Sequence, residues 1–287
     1  SGFDLVPDPF LEPRGYAAAV AEICRDRAID VVLPGHEDAL ALLEHADLLS
    51  AFVMVAASPL AHLRLGCDKY ATVQAAERAG VKVPLTKAPT NFLELGPACE
   101  QLGFPLVVKT RRGNSSKGVR VVSNLAEAVA AVAEFVQAAD LPAEAWPLLQ
   151  EFVDGEVYGC CFIADQGEVR AAFTERYLRC KDGRLGTSVF REPSDWLEPE
   201  REVVKLAASL GWSGIGHCDF IRDRKSGRAV LLEINPRLWG AVRLAVDNGF
   251  HFPAAAVGLA RGASDLSRYF PGRPEPVRAL WLVGEGI

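Results

Sequence analysis

Asp219 and Glu233 each lie in a short apolar run, Cys218 to Ile221 and Ala229 to Ile234. The stretch between them, Arg222-Asp223-Arg224-Lys225-Ser226-Gly227-Arg228, is charged and turn-forming. That pattern predicts a β-hairpin. With its turn near Ser226, antiparallel pairing sets Asp219 opposite Glu233 within about one residue of register, and the two-residue period puts Asn235 on the face of Glu233. Two carboxylates and an amide oxygen then converge. Like charges facing each other across a ladder destabilise it unless positive charge lies between them. A divalent cation answers that need: donors that are all oxygen suit Mg2+ or Mn2+, and such a cation keeps positions open for phosphate oxygens. The spacing alone equally allows both acids to pair with surface arginines, so the residues around them must decide.

Lys109 ends the strand pattern Leu106-Val107-Val108-Lys109, and a polar, small-residue stretch follows from Thr110 to Gly118, with Ser115 and Ser116 in it. A lysine so placed can neutralise phosphate oxygens, and such a loop exposes backbone N–H groups to them. It is no Walker loop, because the lysine precedes it and the GxxxxGK[ST] spacing is absent; a solvated hairpin turn would read the same way. A third segment, Leu149-Gln150-Glu151-Phe152-Val153-Asp154-Gly155-Glu156, is extended and then turns. Between two subdomains it would offer backbone groups to an adenine edge, and an acid past the turn could accept from ribose hydroxyls. Taken alone, it is a strand and a turn.

The elements that must hold these residues follow from periodicity. Helical and extended patterns alternate early: an amphipathic Tyr16 to Arg27, an apolar Asp30 to Pro34, a helix from about Glu37, then Phe52 to Val55. A helix is predicted from Asp68 to a capping Gly80, a strand at Val119 to Val122, and a long helix from an Asn124 cap to about Ala139. Beyond a linker, Leu148 to Val153 leads through Asp154-Gly155 into Val157 to Ala164, and the second half reads as largely antiparallel. The N-terminal α/β stretch has no leading strand, so it reads as the later part of a nucleotide-fold domain, with an upstream extension expected; the C-terminus ends as abruptly.

At 287 residues with 49% hydrophobic and 24% charged residues, the chain can bury more than one core. A net charge of -6, without long like-charge tracts, excludes nucleic acid as the main partner. No apolar run approaches the roughly 18 to 20 residues that span a bilayer, and the first residues lack the pattern of a signal peptide, so a soluble protein in the cytoplasm is expected, with no membrane partner. Cys24, Cys67, Cys99, Cys160, Cys161, Cys180 and Cys218 make no CxxC pair or zinc spacing and read as reduced thiols. Cys160 and Cys161 should fill cores on opposite faces of a strand.

Taken in order, Lys69, Lys109 with its loop, Gln150 to Glu156, Asp219 and Glu233-Ile234-Asn235-Pro236-Arg237 resemble the ATP-grasp superfamily from about Leu63 to Arg261. The resemblance implies two α+β subdomains clasping ATP, an overall α/β and α+β fold, preceded by a partial Rossmann-like domain. Divided accordingly, residues 1–62 would be that domain, 63–152 the N-terminal lobe and 153–287 the C-terminal lobe. It further implies that Lys69 and Lys109 bind ATP phosphates, that the loop around Ser115, Ser116 and Gly118 closes over them, and that Gln150, Glu151 and Val153 hold adenine. Glu156 would take the ribose, Asp219, Glu233 and Asn235 would ligate Mg2+ or Mn2+, and Arg237 would stabilise the transferring phosphoryl group.

Asn-Pro-Arg resembles carbamoyl phosphate synthetases and standalone carboxylate-amine ligases. D-alanine:D-alanine ligases usually carry an arginine where His217 stands, and biotin carboxylases a longer glycine lid, so both are disfavoured. The implied activity is ATP-dependent joining of a small carboxylate to an amine through an acyl phosphate, in a protein that could be a homodimer. The alternatives are a small-molecule kinase, a carbamoyl phosphate synthetase-like phosphorylating domain, and a non-catalytic nucleotide-binding module. The basic segment with Arg176, Arg179, Lys181, Arg184 and Arg191 reads either as an anion-binding stretch or as a solvated loop.

Overall fold

The computed structural model describes residues 2–49, 51, 53–113, 118–181, 188–271 and 277–280. The N-terminal stretch forms α1 (Pro13–Asp26), β1 (Val31–Val32), α2 (Asp38–Glu44) and β2 (Met54–Val55), with β1 and β2 paired in parallel. Next come α3 (Leu60–Gly66) and α4 (Lys69–Arg78), the latter capped by the Asp68 carboxylate, which accepts from the N–H groups of Tyr70 and Ala71. Gly66 lets α3 pack closely on the segment around Pro236, since a Cβ there would lie 2.7 Å from that ring.

A first antiparallel sheet joins β3 (Thr86–Lys87), β4 (Leu106–Lys109), β5 (Val119–Val122) and β6 (Leu148–Glu151) in the order β3-β6-β4-β5. Helices α5 (Leu95–Leu102) and α6 (Leu125–Ala139) close its core around Leu95, Leu106, Val108, Val132 and Leu149. The apolar alternation of β4 sends Leu106 and Val108 inward and leaves Lys109 at the strand end.

The second sheet, among the described residues, is antiparallel with the order β11-β10-β7-β8-β9-β12. Its strands are β7 (Gly155–Asp165), β8 (Glu168–Cys180), β9 (Ser188–Pro193), β10 (Gly214–Asp223), β11 (Ala229–Asn235) and β12 (Ala279–Leu280). Helix α7 (Glu198–Leu210) covers one face; α8 (Val242–Asp247) and α9 (Phe252–Ala260) cover the other. Cys160 packs in the first of these cores and Cys161 in the second, as the alternation requires. All seven cysteines are free thiols.

At Asp154-Gly155 the chain crosses from one sheet to the other: β6 pairs with β3 and β4, whereas β7 pairs with β8 and β10. The basic segment, read as an anion-binding stretch or a solvated loop, lies largely in strands among the described residues. Arg176 and Arg179 lie in β8 and Arg191 in β9, with acids or aromatic rings as partners, while Arg184 lies outside the described residues.

Candidate active site

The hairpin of β10 and β11 pairs Asp219 with Glu233. Its register shifts between Asp219 and Phe220, because Phe220 pairs with Leu231 and Leu232 is the extra residue. That bulge decides the site. Without it Leu231 and Glu233 would share a face; with it Leu231 enters the core under α7, while Glu233 turns to the opposite side beside Asp219. Asn235 joins them there. Its Nδ2 donates to one oxygen of each carboxylate, at 3.2 Å in both cases. A cation would instead meet the amide oxygen, after a half-turn of the side-chain amide.

Two lysines reach this hairpin, Lys109 from the end of β4 in the first sheet and Lys69 from the start of α4. Lys109, 5% exposed, donates to the bulge carbonyl of Leu232 at 3.3 Å. Burial and nearby Lys69 lower its pKa to about 8 against the pull of Glu233. Lys69 opens α4, donates to the carbonyl of Gly113 at 2.7 Å and stands 3.8 Å from Glu233. Burial alone would push the Glu233 carboxyl up, but the two lysines hold it below the usual range. Asp219 goes the other way: burial, with the charge of Glu233 beside it, raises its carboxyl against the opposing influence of His217. An all-oxygen donor set with one carboxylate raised by burial and by its neighbour fits a hard divalent cation.

Arg237 completes the cluster. Its guanidinium donates to Asn235 Oδ1 at 3.2 Å, to the carbonyl of Leu238 at 3.0 Å, and to Glu37 at 3.0 Å. Beneath Asp219 lies a buried polar group of which the sequence singled out only His217 and Arg191. Tyr177 donates to Asp219 at 2.5 Å, its ring stacks under the Arg191 guanidinium at 4.0 Å, and Arg191 pairs with Glu175. His217 stands 3.4 Å from the Tyr177 hydroxyl and 3.6 Å from Glu175, its ring stacked on Trp239. Gly159 makes room for all of them, since a Cβ there would lie within 3.0 Å of His217, Tyr177 and Glu175 at once.

The profile of the ATP-grasp domain family matches residues 67–241, more than half of the chain and the stretch that carries every residue of this cluster except Glu37. The chain belongs to the ATP-grasp family. Its similarity extends to D-alanine--D-alanine ligases: 28% identity over 262 residues with that of Kocuria rhizophila, covering 77% of this chain and 65% of the relative, and 29% over 272 residues with that of Xylella fastidiosa, covering 87% and 82%. Pyruvate carboxylase 1 of Caenorhabditis elegans is 27% identical over 80% of this chain, which spans only 21% of that relative. Among solved structures, the L-amino acid ligase of Bacillus licheniformis superposes with a TM-score of 0.71 at 19% identity, covering 91% of this chain and 63% of its own. Biotin carboxylase of Campylobacter jejuni reaches 0.75 at 18%, covering 88% and 59%. These structures share the ATP-grasp fold; the two groups disfavoured by His217 and by the short glycine run thus stand among the similar proteins.

Within the ATP-grasp frame, Lys69, Lys109, Asp219, Glu233, Asn235 and Arg237 come together. Gly118 lies at the base of its loop, its carbonyl accepting from Thr110 N–H at 2.8 Å, while Ser115 and Ser116 lie outside the described residues. Glu151 and Val153 flank the crossing between the sheets, and the Glu151 N–H is taken by the Leu85 carbonyl. The Gln150 side chain is not in the cluster: it is buried and donates to Thr86 at 2.8 Å. Glu156 falls on the face of β7 away from Asp219, where Tyr158 at 3.2 Å and Arg176 at 2.5 Å donate to it. Glu37 went unrecognised because it lies some two hundred residues from its partner and no local pattern marks it.

Proposed function

We propose that the protein is an ATP-dependent carboxylate-amine ligase. The observation that carries this is the meeting of two carboxylates, an amide and an arginine at one hairpin with Lys109 from the facing sheet and Lys69 from the start of α4. The substrate carboxylate would attack the γ-phosphorus of ATP with ADP leaving; the amine would then attack the acyl phosphate, releasing phosphate and a proton as the C–N bond forms. Lys69 and Lys109 would bind the phosphate oxygens, and Arg237 would hold charge on the transferring phosphoryl group. Asp219, Glu233 and Asn235 would hold Mg2+ or Mn2+, which when bound would neutralise the phosphates. Backbone groups of Glu151 and Val153 at the crossing would face adenine, beside Gln150, and Ser115, Ser116 and Gly118 would close over the phosphates. Glu156 could serve ribose only after releasing Arg176.

Three of the similar proteins above are named as ligases of amino acids, which favours an amino acid as the carboxylate. The carbamoyl phosphate synthetase-like branch rests on Asn-Pro-Arg. Residues 1–62 would be the later part of a Rossmann-like domain, with 63–152 and 153–287 as the two lobes. One neighbouring structure is titled a biotin carboxylase domain dimer, and a homodimer is a reading to test by light scattering. A cytoplasmic location would suit the use of ATP.

The deciding experiment screens ADP release with amino acids and small carboxylates, with and without amines, followed by mass spectrometry. Amide product with free phosphate supports the ligase; a stable phosphorylated substrate makes it a kinase. Replacing Lys109, Glu233 or Arg237 with Ala should cut turnover by about 10²-fold or more while the fold persists. Substrate-dependent ADP release unchanged in all three would refute the assignment, and nucleotide binding with no ADP formed across the screen would point to a non-catalytic module.

A further inference from the structure

The N-terminal stretch contributes no residue to the nucleotide cluster by sequence motif, yet it ends one of its loops against Arg237. The loop 33–37 leaves the carboxyl end of β1, the side on which open α/β sheets present residues to ligands. Glu37 sits there with its side chain 17% exposed, facing an Arg237 side chain that is 14% exposed. Arg237 Nε–H donates to Glu37 Oε1 at 3.0 Å. The other guanidinium contacts, to Leu238 O and Asn235 Oδ1, come from Arg237's own loop, so Glu37 is the acceptor that arrives from another part of the fold.

The carboxylate is itself held. His36 Nδ1 pairs with Glu37 Oε2. The backbone N–H of His36 donates to Asp38 Oδ1 at 2.8 Å, and Tyr16 in α1 donates to Asp38 Oδ2 at 3.0 Å. A run of contacts thus leads from α1 through Asp38, His36 and Glu37 to the guanidinium. An arginine side chain has several rotatable bonds, and a carboxylate accepting its Nε–H fixes the plane of the fork and aims its remaining N–H groups.

We propose that Glu37 is a positioning residue for Arg237, which makes the N-terminal segment a working part of the phosphoryl-transfer site. The inference deepens the ligase reading and rests on it for its kinetic half. Glu37 touches no reacting atom; it orients the group that does. A misplacement of about 1 Å in such a group can cost roughly 10²-fold in rate.

The test compares Glu37→Gln, Glu37→Asp and Glu37→Ala in the full chain. In [15N]arginine-labelled protein, the Arg237 Nε–H resonance, identified by its loss in Arg237→Lys, should exchange slowly with solvent in the wild type and in the presence of AMP-PNP with Mg2+. Glu37→Gln and Glu37→Ala should speed that exchange at least about tenfold, and Glu37→Asp should restore part of the protection. In ADP release driven by a pool of the common amino acids, kcat should fall about 10- to 100-fold in Gln and Ala, with KM for ATP within about threefold and partial rescue in Asp. A kcat within about twofold of wild type in Glu37→Gln, a rise in kcat, or an Nε–H that stays protected overturns the proposal. If the wild type releases no ADP with any amino acid or small carboxylate, with or without amines, the ligase reading fails and takes the kinetic role with it, while the exchange measurement still decides whether Glu37 holds the arginine.

Discussion

The Asp219 carboxylate is held from beneath by a tyrosine. The Tyr177 hydroxyl donates to one carboxylate oxygen at 2.5 Å, and the ring beneath it is clamped by Arg191. Groups behind metal ligands fix their direction, and losing one typically costs about 10- to 100-fold in metal affinity. Tyr177→Phe removes the donor and keeps the ring. Titration of Mn2+ by paramagnetic resonance in the presence of nucleotide should show affinity weakened by about tenfold, with the thermal midpoint little changed; unaltered Mn2+ affinity would leave Tyr177 with a packing role only. Gly159 shows the same dependence from the other side. A methyl there meets His217, Tyr177 and Glu175 within 3.0 Å of each, and Glu175 and His217 are buried with little room to retreat. Gly159→Ala should therefore lower stability by about 1–3 kcal/mol in urea melts and weaken Mn2+ binding together, as overpacking at a buried polar hub predicts. A variant that bound Mn2+ normally would show that the hub can shift without moving Asp219.

Local chemistry determined which elements could be read from sequence alone. Leu106–Lys109 and Val119–Val122 alternate cleanly, and Asn124 caps α6 with Glu127 answering back onto Ser123 N–H, so their borders follow from neighbours in the chain. The Asp219–Glu233 register was likewise legible, because the turn residues fix it. The bulge at Leu232 was not, since it depends on Leu231 finding a core under α7. Long-range pairs such as Arg237 with Glu37 leave no trace in spacing at all. Element α4 offers a test of how its start is fixed. Asp68 caps it while the Arg111 guanidinium forks onto the same carboxylate at 2.6 and 3.2 Å, tying the segment after β4 to the helix. Burial pushes the Asp68 carboxyl up, but the Arg111 fork and the helix N–H groups outweigh it and leave it below the ordinary value. A depressed carboxylate contributes stability above its unfolded pKa of about 3.9 that is lost as pH falls through the folded value. Asp68→Asn keeps the cap and loses the ion pair, so it should cost about 1–3 kcal/mol at neutral pH and flatten the decline of stability below about pH 4. Urea melts across pH that ran parallel to wild type would show that Arg111 contributes little.

Across the whole molecule, the two sheets meet at Lys109, which belongs to the first and donates to the bulge of the second. Without nucleotide that lysine is a burden. Its pKa, lowered to about 8 by burial, means that the unfolded chain holds more protons between about pH 8 and 10.5, so stability should rise with pH across that window and carry the full penalty below it. Phosphate oxygens between the sheets would turn the penalty into binding energy. Lys109→Met, which keeps the length and drops the charge, should therefore leave the nucleotide-free protein at pH 7 as stable as wild type or more so, although the lost partner of Glu233 offsets part of the gain. With Mg2+ and ATP at about a hundred times the dissociation constant, the wild type should gain about 2.7 kcal/mol, roughly 4 to 5 °C in thermal midpoint for a chain of this size. At the same nucleotide concentration Lys109→Met should lose most of that shift, and chelating the divalent cation should remove it from the wild type as well. The comparison separates two accounts of the lysine. If Lys109→Met lowers the nucleotide-free midpoint as much as it lowers the nucleotide-bound one, the lysine is a strut between the sheets; a loss confined to the nucleotide-dependent shift shows that its burial is tolerated for binding phosphate.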